Sequence, residues 1–301
     1  MGDLKLFNIG KKSVQELDGR AAGLERSLQV IFERNLETLL GVRFLETEYT
    51  TSHGGRMDTL GIDENGCPVI IEYKRDRSEN VINQGLFYLD WLMDHRGAFE
   101  LIVRDKLGRE DADKIEWSAP RLICIASDFT KYDEHAVNQM QRNIELIRYR
   151  RFGDDLLLLD LLTASSADKK STNSGMVSAK NHNYTTVTRH LENASEHLKA
   201  LFADVSDFMI GRGDDVQERP MKFYIAFKRI KNFACVEIRN GINVVRMYLK
   251  VDPSTIELED GFTRDMRNTS HFGTGDLEIT ISSFEDLEKA KPYIQMSYDA
   301  S

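Results

Sequence analysis

The chain has 301 residues, of which 41% are apolar and 30% charged, with a formal net charge of −9. That is a globular composition, long enough for two domains with ordinary cores, and its acidic balance argues against wholesale electrostatic attraction to nucleic acid while leaving room for a local basic groove. The longest apolar run, Leu156 to Leu162, is interrupted by Asp160 and is far too short to cross a bilayer, so no membrane partner, pore or transporter is expected.

Met1 to Lys12 lacks the apolar core of a secretory leader. Cys67, Cys124 and Cys235 are far apart, odd in number and set in apolar runs, which reads as reduced core cysteines in a cytoplasmic protein. From Ala21 to Leu40 the residues Leu24, Leu28, Ile31, Phe32, Leu36, Leu39 and Leu40 recur at helical spacing, and Gly41 ends the run. At about 100° per residue, Glu25 falls inside the apolar arc of this helix, whereas Glu33 and Glu37 fall outside it.

Strands are predicted at Phe44 to Thr50, Arg56 to Ile62 and Cys67 to Lys74, followed by a helix from Glu79 to His95 capped by Ser78. On that helix Gln84, Tyr88 and Trp91 form a stripe at the border of the apolar face, suited to lining a cleft. Next come a helix at Phe99 to Leu107, a buried strand at Arg121 to Ala126 and a helix at Glu134 to Arg142. Strands at Ile144 to Arg151 and Leu156 to Leu162 follow, joined by a Gly153-Asp154 turn. This order predicts a mixed sheet with helices packed on it.

Residues 165–185 are rich in Ser, Asn, Lys, Asp and Ala and poor in large apolar residues, the pattern of a linker between a first domain at 1–164 and a second at 186–301. The second domain opens with a helix at Val187 to Val205. Strands follow at Lys222 to Lys228, Phe233 to Arg239 and Ile242 to Val251, the last two joined by Asn240-Gly241. A strand at Leu277 to Ile281 and a helix opened by the capping box Ser283-Phe284-Glu285-Asp286 complete an α+β domain.

The chemistry concentrates between Gly54 and Lys74. Two β-rich runs flank Glu64-Asn65-Gly66, a hairpin connection with glycine in the left-handed position. If Asp63 pairs with Cys67, stepping back along both strands sets Asp58 opposite Glu72, on one face, and alternation brings Lys74 to the same face. Two hard carboxylates within bridging distance suit Mg²⁺ or Mn²⁺, and a lysine beside the ion can orient water or offset charge on phosphorus. The run Val69-Ile70-Ile71 before them is that of a strand buried on both faces, where charge is costly unless it meets a metal or a cleft.

With those residues in place, the first domain resembles the PD-(D/E)XK nucleases, whose shared fold is that of the restriction endonucleases. Asp58 corresponds to the family's Asp at the head of a strand, Glu72 and Lys74 to its strand-borne E-x-K, Gln84 and Tyr88 to its helical Q-x-x-x-Y, and Glu25 to the acid early in the first helix. The likeness spans roughly residues 20 to 162 and is nearest to the catalytic domain of the NucS-type endonucleases. The separate N-terminal DNA-binding and dimerisation domain of that type has no counterpart here. A C-terminal domain resembling one of unknown function stands in its place.

The resemblance implies a restriction-endonuclease-like mixed sheet flanked by helices, with a smaller C-terminal α+β domain. It also implies metal-dependent phosphodiester hydrolysis, with nucleic acid, DNA above all, as partner and a homodimer admitted. In that scheme Asp58 and Glu72 hold the ion and Glu25 adds a ligand directly or through water. Lys74 positions or activates the attacking water, and Gln84 and Tyr88 orient Lys74 or the scissile phosphate. Arg56, Arg75 and Arg77 crowd the hairpin and are candidates for phosphate contacts.

Plainer readings stand beside these. The fold could persist as a catalytically silent nucleic-acid-binding or regulatory adaptor, or as an acidic protein-interaction module. Tyr88 and Trp91 individually suit packing. Gly54 and Gly55 make a turn or let a phosphate approach, and His53 is a surface residue or a substrate contact. Arg148 and Arg150 bind phosphate or guard a solvated strand edge. Lys228, Arg229 and Lys231, between Phe227 and Phe233, form a solvated turn or a nucleic-acid contact.

Overall fold

The computed structural model describes residues 5–11, 13–21, 24–75, 80–165 and 186–301. They fall into two compact units, Met1–Thr172 and Asn173–Ser301. The expected linker lies outside the described residues except for Ser165.

The first unit begins with an antiparallel ribbon of β1 (Leu6–Ile9) and β2 (Val14–Leu17), then β3 (Gly19–Arg20). There follow α1 (Glu25–Arg34), α2 (Leu36–Leu40), β4 (Val42–Thr50), β5 (Arg56–Asp63), β6 (Pro68–Lys74), α3 (Val81–Asp94), α4 (Arg96–Leu107) and the short α5 (Arg109–Ala112). The unit closes with β7 (Arg121–Ala126), α6 (Lys131–Gln139), β8 (Asn143–Phe152) and β9 (Leu156–Ala164). Its sheet runs β3-β8-β7-β6-β5-β4, with β9 also paired to β8. The β6/β7 and β7/β8 pairs are parallel, joined through helices, and the other pairs are antiparallel. This is the expected mixed α/β sheet with flanking helices.

Central strands β6 and β7 are buried nearly throughout, as their continuous apolar runs require. The chain tolerates charge there by pairing it. Arg121 on β7 binds Glu145 of β8 in a fork, at 3.0 and 2.8 Å, and reaches Asp63 at the end of β5 at 2.8 Å. The other oxygen of Asp63 accepts the N–H groups of Asn65 and Cys67, both at 2.9 Å, closing the β5–β6 turn. One guanidinium therefore ties the hairpin turn to two neighbouring strands.

The predicted first helix is interrupted at Asn35, whose φ and ψ of −131° and 25° leave the helical region while its side chain bonds the carbonyl of Ile31. A short polar side chain that competes for helix carbonyls breaks helices in this way. Gly41, at φ 64°, ends α2 as expected. The third helix starts at Val81 after Asn80; its proposed cap, Ser78, lies outside the described residues. The helix expected from Glu134 begins earlier, because Thr130 and Asp133 form a capping box. Arg148 and Arg150 do not sit on an edge: β8 has strands on both sides. Arg148 is buried against Asp160 and Asp128, so it is neither a solvated guard nor a phosphate contact.

The second unit comprises α7 (Val187–Glu192), α8 (Glu196–Ile210), β10 (Gln217–Pro220), β11 (Ile225–Lys228), β12 (Asn232–Arg239), β13 (Val244–Leu249), β14 (Thr263–Asp265), β15 (Leu277–Ile281) and α9 (Phe284–Asp299). Its sheet is antiparallel, ordered β10-β11-β12-β13-β15-β14. Leu198, Leu201, Val205, Leu287 and Ile294 of the helices share one core with Phe227, Val236, Met247 and Ile279 of the strands. The single helix expected at Val187 to Val205 is two, since Ser195 caps a new one by accepting the N–H of Leu198. Asn240-Gly241 belongs to a short 3₁₀ turn that ends at left-handed Asn243, which delays β13 to Val244. The basic tip is not a free turn: Lys228 is buried, and Arg229 binds Asp215 at 2.7 Å and covers the Tyr298 ring. No helix among the described residues is long and apolar enough to cross a membrane.

The Arg121 cluster makes a stability prediction. Arg121→Met strands two buried carboxylates without their counter-charge and should lower the unfolding free energy by about 3 to 5 kcal/mol. Urea denaturation checks this, and a loss below about 1 kcal/mol, the size of an exposed pair, would show that the cluster does not hold the hairpin.

Candidate active site

The β5/β6 register runs from Ile62 opposite Pro68 to Thr59 opposite Ile71. The Asp63 N–H donates to the Cys67 carbonyl at 2.9 Å, the pairing from which the register was read in the sequence. One step beyond Thr59 and Ile71, side chains replace the backbone ladder. The Asp58 N–H donates to Glu72 Oε1 at 3.3 Å, and the Tyr73 N–H donates to Asp58 Oδ2 at 3.0 Å. Each carboxylate thus accepts a backbone N–H from the opposite strand. The two strands keep their outer neighbours, β5 pairing with β4 as far as Arg56 and β6 with β7 as far as Lys74.

Glu72 is fully buried, and its Oε2 has no hydrogen-bond partner among the described residues. Burial first, then the neighbouring charge of Asp58, pushes its carboxyl up to about 9. Asp58 is also raised, by burial, against the lowering effects of the Tyr73 N–H and of Lys74. A buried acid pair with an orphaned oxygen is short of positive charge. The donor set is hard oxygen throughout, which fits Mg²⁺ or Mn²⁺ and not a soft metal.

Glu25, the first residue of α1, comes to this end of the sheet as its place on the helix suggested. Its Oε1 accepts from Lys74 Nζ at 3.4 Å and its Oε2 from the Arg75 N–H at 3.1 Å. Among the described residues no group of three or more His, Cys, Asp and Glu side chains is spaced to hold a metal ion. Glu25 is thus engaged by Lys74 and the Arg75 N–H, while Asp58 and Glu72 face each other across the strand end.

Gln84 and Tyr88 meet each other, but neither shows a hydrogen bond to Lys74. Gln84 Nε2 donates to the Tyr88 hydroxyl at 3.1 Å, and that oxygen also accepts the Arg56 N–H at 3.1 Å. Tyr88 is buried and anchors α3 to the start of β5, two residues before Asp58. Gly55 is required beneath it, since a Cβ there would come within 2.5 Å of the Tyr88 ring. Trp91 is a packing residue, stacked on His95 at 4.2 Å and donating to Ser52 at 2.9 Å. His53 is exposed and meets the rings of Phe87 and His95.

Arg56 is exposed and lies 3.5 Å from Glu48, which also receives Arg26. Arg75 enters through its backbone, its carbonyl accepting from the Tyr149 hydroxyl at 3.0 Å. Arg77 lies outside the described residues. Glu48 itself has φ 49°, rare for a non-glycine residue, at the β4 position between the pairs Thr47/Thr59 and Tyr49/Met57.

Sequence reasoning missed the support beneath the acids. Gln29 is buried, and its Nε2 donates to the Asp58 carbonyl at 2.8 Å, to Glu33 at 2.9 Å and to Thr47 at 3.2 Å. Glu33 also accepts from the Thr59 hydroxyl at 2.7 Å. The expectation that Glu33 faces away from the sheet is thus corrected. Glu25, Gln29 and Glu33 occupy one i, i+4, i+8 row of α1, and that row is the signal that could have revealed the network.

Residues 187–301 match the family described as a domain of unknown function, DUF5655. Over 299 residues the chain is 28% identical to an uncharacterized protein of Haemophilus influenzae, covering 95% of this chain and 96% of that one. Among solved structures, the EndoMS–dsDNA complex is 22% identical with a TM-score of 0.30 over 42% of this chain and 45% of that one. A repair endonuclease from Pyrococcus abyssi is 20% identical with a TM-score of 0.28 over 44% and 49%. The chain spans less than half the length of either structure.

The raised carboxyl of Glu72 makes stability depend on pH when metal is chelated. Folding holds the proton from the ordinary value of 4.5 up to about 9, so the folded state binds more protons than the unfolded one in that window. The contribution is complete below about 4.5 and is lost as pH rises towards about 9. In EDTA, the melting temperature of the wild type should fall from pH 5 to pH 9 by more than that of Glu72→Gln, and parallel profiles would refute the assignment.

Proposed function

We propose that the first unit is a Mg²⁺- or Mn²⁺-dependent endonuclease of the PD-(D/E)XK type, acting on nucleic acid and on DNA in particular. The observation that carries this reading is the pair of carboxylates at the end of the ladder, Glu72 accepting the Asp58 N–H and Asp58 the Tyr73 N–H, with Glu72 Oε2 left unpaired. Asp58 and Glu72 would hold the ion. When bound, it would supply Lewis-acid polarisation of the phosphodiester and lower the pKa of a water.

The remaining roles belong to the chain's own groups. The ammonium of Lys74, one strand repeat beyond Glu72, holds a water or offsets negative charge developing on the phosphate oxygens. Glu25 keeps that ammonium in place from the helix side. Gln29 and the Tyr73 N–H fix Asp58 at its carbonyl and carboxylate, and Tyr88 fixes the strand leading to it. Exposed Arg56 is suited to a backbone phosphate.

A second reading, a silent nucleic-acid-binding or regulatory adaptor, draws on one observation: Lys74 and Glu25 already satisfy each other.

One set of measurements separates the two. With Mn²⁺ and a panel of single-stranded, duplex, branched and mismatched DNA and RNA, the wild type should cleave at least one substrate. Asp58→Asn should abolish both cleavage and calorimetric Mn²⁺ binding. Lys74→Ala should keep Mn²⁺ affinity and melting temperature while losing roughly two to three orders of magnitude in turnover, the usual cost of one preorganised electrostatic donor. Nucleic-acid binding with neither cleavage nor a Mn²⁺ site would select the adaptor.

A further inference from the structure

The six-stranded sheet of the second unit buries one face under its helices. On its other face, Glu237 lies opposite Arg246 and Tyr248 opposite Glu278. Part of that face is covered by aromatic stacking from the segment after β14: His271 lies on Tyr248 at 4.4 Å and Phe272 on Phe223 at 4.5 Å. At the end of β12 a cavity of about 310 Å³ opens, lined by residues that include His190, Phe223, Glu237, Arg239, Ile242 and Phe272. Its wall is tied together by Asn240, whose Nδ2 donates to the His190 carbonyl at 2.8 Å.

The lining is chemically mixed in a particular way. Phe272 and Ile242 are 48% and 60% exposed, so apolar surface is left uncovered. Glu237 is 4% exposed, and burial holds its carboxyl above the ordinary range. Arg239 donates to Glu237 at 3.2 Å while its side chain remains about half exposed. The cavity therefore combines an exposed aromatic ring, a desolvated hydrogen-bond acceptor and a cation with spare donors.

We propose that this cavity is a nucleotide site, taking a flat nitrogen heteroaromatic ring against Phe272, which Phe223 backs from behind, an exocyclic N–H at Glu237, and a phosphate at Arg239 and His190. A ring stacked on Phe272 recovers its exposed apolar area. A carboxyl presents an acceptor oxygen in either protonation state, which selects an amino-bearing edge. A guanidinium is the side chain best matched to phosphate oxygens. The volume is at the lower end of the roughly 300 to 1,000 Å³ range of small-molecule sites, so the site suits a mononucleotide and not a dinucleotide. The proposal rests on the second unit alone and is independent of the nuclease reading. A free nucleotide and the phosphorylated end of a strand share this chemistry.

The test uses the full chain in EDTA, which keeps metal-dependent chemistry out of the readout. AMP, CMP, GMP and UMP are titrated by calorimetry and saturation-transfer NMR. At least one of AMP, CMP and GMP should bind saturably with Kd below about 1 mM, more tightly than UMP, which has no exocyclic amino group, while ribose 5-phosphate, which lacks the ring, should not bind. Phe272→Ala or Glu237→Gln should weaken binding at least about tenfold. Phe272 is exposed enough for its variant to keep the wild-type melting temperature, whatever the buried Glu237→Gln does to folding. Displacement by a 5′-phosphorylated single-stranded oligonucleotide assigns the site to a strand end, and failure to displace assigns it to a free nucleotide. Absence of saturable binding by AMP, CMP and GMP, a preference for UMP over all three, equal binding of ribose 5-phosphate, or indifference to both substitutions overturns the proposal.

Discussion

The first unit turns on the point where β5 and β6 exchange backbone pairing for carboxylates. Two acids at the end of a strand buried on both faces cost several kcal/mol unless something compensates. Here part of the compensation is local: the N–H groups of Asp58 and Tyr73 each donate to a carboxylate across the gap. These bonds orient the acids and satisfy both backbone donors. What they do not supply is positive charge. Lys74 lies nearby but is drawn towards Glu25, and burial leaves Glu72 raised to about 9. The arrangement is held rigidly and remains electrostatically incomplete.

Rigidity at that end depends on the other end of the same hairpin. Asp63 accepts two turn N–H groups with one oxygen and Arg121 with the other, and Arg121 is shared with Glu145. The turn is thereby locked to β7 and β8, and the register it sets is carried along two strands to Asp58 and Glu72. Because side chains alternate with a period of two, a slip of one residue would put Asp58 and Glu72 on the wrong faces. The buried ion cluster thus ties the turn to two strands, and setting register is the best-attested use of buried polar groups.

Much of this was legible in the sequence, for identifiable reasons. The Gly66 turn and two strongly β-forming runs determine the register, and the run at Arg121 to Ala126 is a strand with the expected bounds. Glu25 was found because it stands within an apolar arc. Gln29 and Glu33 were missed because a helical wheel ranks residues by apolarity, and a polar row that hydrogen-bonds to a sheet looks like a solvent face. The helix breaks at Asn35 and Ser195 went unseen because each depends on a side chain bonding the backbone, a choice that periodicity does not register. Strands β10 and β14, of four and three residues, are too short to show a period. Arg148 was misplaced although the Gly153-Asp154 turn was read, because the register of that hairpin, which sets Arg148 opposite Asp160, was not followed along the two strands.

The second unit shows the same physics with the polar groups placed differently. Along β12 the alternation sends Val236 and Ile238 into the helix-covered core and Glu237 to the opposite face, where it stands across from Arg246. An antiparallel sheet with one solvated face would carry exposed charges there, but Glu237 and Glu278 are 4% and 5% exposed. His271, from the segment after β14, stacks on Tyr248 of that face, and Arg246 pairs with Glu278. A protein that needed only to cover a sheet face would gain more by placing apolar residues under that segment, because desolvating charged pairs offsets most of their attraction. Retaining acids and arginines beneath an aromatic cover, beside a cavity, is the pattern of a surface that keeps hydrogen-bonding capacity in reserve for something that enters.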